Sequence, residues 1–296
     1  MSKKNYFLAE KYLQEKFSVG TAIIFNNKEL KIINSGKPRP VSGECKSDLY
    51  LDCCDKKNNK YEIKISLKLD NYEFLENKTS LERAKELLGV NAEKIIQIAT
   101  LTIKEKFENR ALVKWNNADN NIRVILGWKL EIFKNTTRQL MTQPELTEDQ
   151  KIKILNGSNS SIAKKDCKLN NKVIKNSGVP NYILIIDKDP EKLNEQSANE
   201  VINNLQKIED YSKKIIINFG YTAINYRKGL DKWDGDRPLA VYVTWKYEEE
   251  KLIPIICYDK PLQHRANKIC NLLKEEIEKL DYKNIREENY ESFFNI

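Results

Sequence analysis

The stretch that decides the fold occupies residues 43–68 and reads GECKSDLYLDCC, then DKKNNK, then YEIKISLK. Apolar and polar residues alternate on both sides of the central polar turn, which is typical of half-buried strands. The pattern predicts an antiparallel hairpin with one apolar face. Its other face carries Asp48 at a strand end and, on the neighbouring strand, the row Glu62, Lys64, Ser66 and Lys68.

This polar face has the groups that phosphodiester hydrolysis needs. Two carboxylates can hold Mg²⁺ while leaving water and phosphate oxygens in its coordination shell. A nearby lysine can position the attacking water and offset the charge that develops on the phosphate. The hairpin therefore predicts a nuclease site in which Asp48 and Glu62 bind the metal and Lys64 acts on the water.

On these residues the chain resembles the PD-(D/E)xK nuclease superfamily, which includes many type II restriction endonucleases. Ser47-Asp48 stands where the family has Pro-Asp, and Glu62-Ile63-Lys64 stands as its Glu-x-Lys. The resemblance covers roughly residues 20–105. It implies an α/β fold with a mixed central sheet flanked by helices, Mg²⁺ as the cofactor, products with 5′-phosphates, and a homodimer.

A second register of the hairpin stays open. If the strands pair about a turn centred near Lys57, Asp48 lies opposite Leu67 and its neighbours, so that Ser66-Leu67-Lys68 occupies the motif position. Lys68 would then be the catalytic lysine, with Glu62 or another acid completing the metal site. Glu44 is close enough in sequence to Asp48 to reach the metal, and Glu10 on the preceding helix is a further possible ligand.

Composition sets wider limits on function. The 296 residues carry 51 basic and 43 acidic side chains, and the formal charge of +8 permits nucleic-acid binding without demonstrating it. Six cysteines without a CxxC pair, together with one histidine, argue against structural zinc and favour reduced thiols in a cytoplasm. No apolar run reaches the roughly 20 residues of a membrane-spanning helix, so no membrane association is predicted.

Two basic segments are candidates for DNA contact. Residues 37–46 place Lys37, Arg39 and Lys46 just before the predicted catalytic edge. Residues 225–238 interleave basic side chains with Trp233, a composition expected of a segment that enters a groove or grips phosphates. Its candidate contacts are Arg227, Lys228 and Arg237.

The chain is expected to divide into a nuclease core at residues 1–155, a polar linker or mobile loop at 156–176, and an α+β region for DNA target recognition at 177–296. Helices are predicted at 6–17, 79–88, 91–107, 144–155, 197–211 and 261–280. The helix at 91–107 is expected to cross the sheet as its core helix. Residues 111–115 and 122–133 fit strand or helix.

These observations predict a Mg²⁺-dependent, sequence-specific endonuclease of the type II restriction kind, acting on double-stranded DNA. Two alternatives remain. One is a nuclease of the same fold that acts without sequence specificity, in repair or in a phage. The other is a DNA-binding protein without catalysis. The sequence predicts neither the recognition sequence, nor the cut position, nor any dependence on methylation.

Overall fold

The computed structural model describes residues 3–77, 79–117, 120–136, 138–280 and 285–295. Its α-helices, numbered in chain order, are α1 Lys3–Lys16, α2 Leu81–Leu88, α3 Ala92–Leu101, α4 Lys104–Glu108, α5 Glu148–Asn156, α6 Ile162–Lys165, α7 Glu191–Glu195, α8 Ala198–Asn203, α9 Ile208–Ser212 and α10 Ala266–Ile277. Its strands are β1 Ala22–Phe25, β2 Lys28–Gly36, β3 Leu49–Asp55, β4 Lys60–Leu69, β5 Phe74–Glu76, β6 Val113–Asn116, β7 Asn121–Lys134, β8 Met141–Thr142, β9 Cys167–Leu169, β10 Lys172–Ile174, β11 Tyr182–Ile186, β12 Gln206–Lys207, β13 Ile217–Arg227, β14 Lys232–Trp233, β15 Pro238–Leu239, β16 Val241–Glu248, β17 Lys251–Cys257 and β18 His264–Arg265.

The chain forms two compact units, and each is built from two separate segments. Unit 1 comprises residues 1–73 and 146–215, and unit 2 comprises residues 74–145 and 216–296. These units differ from the contiguous division at 155 and 177 that the sequence suggested. The mixture of helices and strands confirms the predicted α/β class at that coarse level.

Unit 1 is organised on a mixed sheet in the order β1-β2-β3-β4-β11-β12. The hairpin predicted from residues 43–68 is present as β3 and β4, with Leu49 opposite Ile65 and Asp52 opposite Glu62. Strands β1 to β4 are antiparallel neighbours, whereas β11 runs parallel to β4 and β12 is antiparallel to β11.

One face of this sheet is covered by helices. Inward-facing residues of the hairpin, such as Leu51 and Ile65, lie in one buried cluster with Leu13 of α1, Phe17 directly after that helix, and Val201 of α8. Because side chains alternate between the faces of a strand, the polar row of β4 lies on the opposite face. Helix α1 corresponds to the helix predicted at 6–17.

The connection from β4 to the parallel strand β11 runs through residues 70–181, since parallel strands need a crossover. In unit 1 it contains α5, whose start is fixed by a capping box of Thr147 and Gln150. The expected mobile loop at 156–176 instead holds α6 and the β9-β10 hairpin, with Cys167 and Leu169 buried.

Unit 2 is built around the long strand β7, which pairs with β13 and β16 in the order β14-β13-β7-β16-β17. Strands β5 and β6 also pair with β7, and α10 packs on β16. Residues 111–115 and 122–133 are therefore strand. The predicted helix at 91–107 forms as α3 and α4, and both belong to unit 2 and not to the unit that contains the hairpin.

Two further predicted helices differ in extent. The helix predicted at 197–211 is divided into α8 and α9 by the short strand β12, and the one predicted at 261–280 is confined to α10. Among the described residues, no helix has the length and apolar character that crossing a membrane would require.

Candidate active site

The candidate site lies where β3 begins and β4 continues beyond it. The backbone N–H of Asp48 donates to the Ile65 carbonyl at 2.8 Å. Its carboxylate Oδ2 accepts from the backbone N–H of Leu67 at 2.7 Å. The Asp48 carboxylate thereby replaces the backbone carbonyl of a neighbouring strand as the acceptor for the Leu67 N–H. This hydrogen bond holds the carboxylate at the strand end.

Lys68 lies beside this carboxylate. Its Nζ is 3.9 Å from Asp48 Oδ2 and donates to the Leu67 carbonyl at 3.0 Å. The strand register places Ser66 opposite Asp48, and the Ser66 hydroxyl is buried without a hydrogen-bond partner within the described part of the chain. The pairing thus brings together Asp48, Ser66 and Lys68, the second register left open by the sequence.

Glu62 and Lys64 lie further along the same strand. Glu62 is opposite Asp52, four residues from Asp48, which corresponds to roughly 13 Å at the rise of a β-strand. Its carboxylate accepts from the Tyr50 hydroxyl at 2.7 Å and lies 3.7 Å from Lys64 Nζ. The structure therefore does not bring Glu62 and Lys64 together with Asp48.

A cavity of about 520 Å³ opens in front of Asp48. It lies wholly within unit 1. Charged side chains from several elements line it, and they comprise Glu10, Lys37, Arg39, Glu44, Lys46, Asp48 and Lys68. Three carboxylates and four cations around one opening suit a ligand that carries both negative charge and a metal ion.

Helix α1 contributes Glu10 and Tyr6 to the wall. Glu10 is 8% exposed, and both of its carboxylate oxygens lie 2.6 Å from Lys37 Nζ. The Tyr6 hydroxyl donates to the Leu67 carbonyl at 3.1 Å. Burial raises the pKa of Tyr6, and the charges of Asp48 and Glu10 raise it further. Tyr6 is therefore a neutral hydrogen-bond donor at physiological pH.

The loop that carries Lys37, Arg39, Glu44 and Lys46 is held by the segment once expected to be a linker. Arg39 exchanges two backbone hydrogen bonds with Lys168 of β9, at 2.9 and 2.8 Å. The N–H groups of Lys46 and Ser47 both donate to the Gly178 carbonyl. A β-carbon at Gly178 would lie only 2.3 Å from the Lys164 carbonyl oxygen, so the close approach requires glycine.

The donor set fits Mg²⁺. Among the described residues, no three Asp, Glu, His or Cys side chains are already gathered as a metal-binding group. Mg²⁺, however, is commonly held by one or two carboxylates, with water and substrate phosphate completing its shell. Asp48 with Glu10 or Glu44 supplies carboxylate oxygens at one cavity, and the buried Ser66 hydroxyl is a further oxygen on the strand opposite Asp48.

The predicted DNA contacts divide between the two units. Lys37, Arg39 and Lys46 line the cavity. In unit 2, Arg227 ends β13 and is ion-paired with Asp234, and Lys228 begins a 3-10 turn. The Arg237 carbonyl accepts from Ala266.

The residues around Trp233 do not form an open loop. Trp233 pairs with Tyr226 across β13 and β14, and Lys274 Nζ lies 5.4 Å from each ring.

Sequence reasoning missed Tyr6. The signal was present, because Tyr6 precedes Glu10 by four residues and so lies on the same face of α1.

Comparison with protein-family models, with curated proteins and with solved structures finds no match. The function is therefore inferred from the geometry of this chain.

Proposed function

We propose that this protein is a Mg²⁺-dependent DNA endonuclease that hydrolyses phosphodiester bonds with Asp48 and Lys68 at its centre. The observation that carries the proposal is the Asp48–Lys68 pair where β3 begins, facing a cavity that Glu10 and Glu44 also line. The mixed sheet of unit 1 has the α/β character that the resemblance to PD-(D/E)xK nucleases implies, whereas the helix expected to cross the sheet belongs to unit 2.

The proposed roles follow from position. Asp48, with Glu10 or Glu44, would hold Mg²⁺, and the bound ion would polarise the scissile phosphate and lower the pKa of a water. Lys68 would orient that water and stabilise the charge that develops on the phosphate. Lys37, Arg39 and Lys46 would contact the flanking DNA backbone.

The original assignment of Glu62 and Lys64 remains a prediction, and the geometry favours Lys68. Glu62 is engaged by Tyr50 and Lys64 in mid-strand and does not line the cavity. Sequence-specific cleavage of double-stranded DNA, 5′-phosphate ends and a homodimer belong to the proposal through the resemblance.

The test is cleavage of unmethylated plasmid and phage DNA with Mg²⁺, comparing wild type with Asp48→Asn. Removing the charge of Asp48 is expected to lower the rate by on the order of 10²–10³-fold, as loss of a charge-stabilising group does elsewhere. Circular dichroism and urea unfolding would verify that the variant is folded. Discrete fragments would indicate sequence-specific cleavage, and a continuous smear would indicate a non-specific nuclease.

Absence of cleavage by folded wild-type protein, with Mg²⁺ and with Mn²⁺ on DNA from several sources, would contradict the proposal. Cleavage that is equally fast in wild type and Asp48→Asn would contradict the site. Retained DNA binding without any hydrolysis would instead support the DNA-binding alternative.

A further inference from the structure

Unit 2 contains two adjoining cavities that the proposed nuclease site does not use. Their volumes are about 300 and 190 Å³, and Arg110, Leu140 and Tyr221 line both. Residues of β7 and β13 line the larger cavity, including Trp128 and Ala223. A volume of this size is at the lower end of what small-molecule sites occupy.

The lining carries positive charge. Arg110, Lys114 and Arg123 line the larger cavity, and Arg138 lines the smaller one. No Asp or Glu occurs among the described residues that line either cavity. Glu131, which accepts from Thr222 beside the smaller cavity, is paired with Lys129 at 2.7 Å. The cavities therefore favour an anionic ligand.

Two buried donors in the lining have no hydrogen-bond partner among the residues that the structure describes. They are the Tyr221 hydroxyl and Arg110 Nε, and Tyr221 as a whole is 6% exposed. Burial also raises the pKa of Tyr221, so its hydroxyl keeps its proton. A buried donor without a partner is costly and rare in native proteins, which points to a ligand that accepts from these groups.

Part of the lining of the larger cavity, here called its aromatic floor, consists of apolar and aromatic side chains. Trp128 and Tyr221 both pack against Phe107. The centroid of the Phe107 ring lies 5.0 Å from that of Trp128 and 5.3 Å from that of Tyr221. Ile125 and Leu112 complete the apolar wall. Apolar walls with a few polar groups are how proteins hold a planar base, while guanidinium groups bind its phosphate.

We propose that this cavity binds a nucleoside 5′-monophosphate group. Arg110 and the neighbouring cations receive the phosphate, and Tyr221 donates its hydroxyl to the ligand above the aromatic floor. The group is either a free nucleotide or a nucleotide extruded from duplex DNA, and only the second source rests on the proposed nuclease function.

The first experiment is calorimetric titration of the full chain in EDTA with each deoxynucleoside 5′-monophosphate, the matching deoxynucleosides and inorganic phosphate. Arg110→Gln is expected to weaken monophosphate binding by about tenfold or more, as loss of a charge-assisted hydrogen bond does. Tyr221→Phe should also weaken binding, yet its melting temperature should equal or exceed that of wild type, because an unsatisfied hydroxyl is removed. Lys246→Gln, an exposed lysine on β16, is the matched control.

The second experiment uses duplexes with 2-aminopurine placed at successive positions across a site that the wild type cleaves, again in EDTA. A fluorescence increase that Arg110→Gln abolishes identifies an extruded nucleotide, and monophosphate binding without that increase identifies a free one. Inorganic phosphate binding as tightly as the monophosphates, or binding unaffected by Arg110→Gln, overturns the nucleotide site. The absence of both monophosphate binding and the fluorescence increase also overturns the nucleotide site. Cleavage assays with Asp48→Asn report separately on the nuclease proposal.

Discussion

Two lysine–carboxylate pairs lie on the same hairpin and differ in what surrounds them. Lys64 and Glu62 are 3.7 Å apart in mid-strand, and the Glu62 side chain is 48% exposed. Lys68 and Asp48 are 3.9 Å apart at the strand end, where Asp48 is 13% exposed. The two pairs therefore have similar separations between lysine and carboxylate, but the carboxylate of Asp48 is much more buried than that of Glu62.

The difference follows from the position in the sheet. In mid-strand the neighbouring residues satisfy Glu62, since Tyr50 donates to it from the opposite strand. At the strand end β3 stops pairing while β4 continues along β11, so a side chain must replace the missing backbone partner and a cavity opens beside it. A charged pair at such an opening can meet a substrate, whereas the mid-strand pair mainly meets its own neighbours.

The sharpest test of this comparison replaces the two lysines in turn. Lys68→Ala is expected to lower the Mg²⁺-dependent cleavage rate by on the order of 10²–10³-fold, because it removes a charge beside the reacting phosphate. Lys64→Ala, the matched control, should stay within about threefold of wild type, because Lys64 pairs with the half-exposed Glu62 in mid-strand and does not line the cavity. The opposite result would restore Glu62 and Lys64 as the site.

The second test replaces one acid of the cavity, Glu10, and the acid of the mid-strand pair, Glu62. Glu10→Gln is expected to raise the Mg²⁺ concentration for half-maximal cleavage by about tenfold, in the range found when groups around a metal are altered. Glu62→Gln should leave that concentration unchanged. The measurement is a Mg²⁺ titration of the initial rate. A lower rate without a changed Mg²⁺ requirement would indicate that Glu10 acts by positioning Lys37, with which it is paired.

The hairpin itself could be predicted because its signal is local. Alternation on both sides of a polar turn gave β3 and β4 within a residue or two. The register was open because both lysines lie on the same polar face, and only the backbone pairing of Leu49 with Ile65 decides which of them lies beside Asp48.

Other features depend on contacts between distant residues. The helix at 91–107 forms largely as expected, yet its membership of unit 2 follows from where residues 74–145 pack. Strand β7 was undecided because both of its faces are largely buried, which removes the alternation that identifies a half-buried strand. The polar segment at 156–176 gave no sign that its backbone holds the loop carrying Arg39.

A smaller effect is expected at the mid-strand pair. Tyr50→Phe removes the hydroxyl that donates to Glu62 and should lower the free energy of unfolding by about 1 kcal/mol, while leaving cleavage unchanged. Urea unfolding and the plasmid assay measure the two quantities. A large loss of cleavage in a fully folded Tyr50→Phe protein would show that the mid-strand pair takes part in the reaction.

The smallest effect is expected at the turn of the same hairpin. Asp55 accepts from the side chain and backbone of Asn59 and from the backbone of Lys57, and these bonds, led by the Asn59 side chain, lower its pKa to about 2. A carboxyl whose folded pKa is depressed adds stability above its unfolded pKa of about 3.9, and this is lost as the pH falls towards 2. Asp55→Asn should therefore have a slightly lower urea midpoint than wild type at pH 7. The gap should close between about pH 4 and 2, and a gap that stays constant over this range would mean that the turn depends on the shape of the side chain and not on its charge.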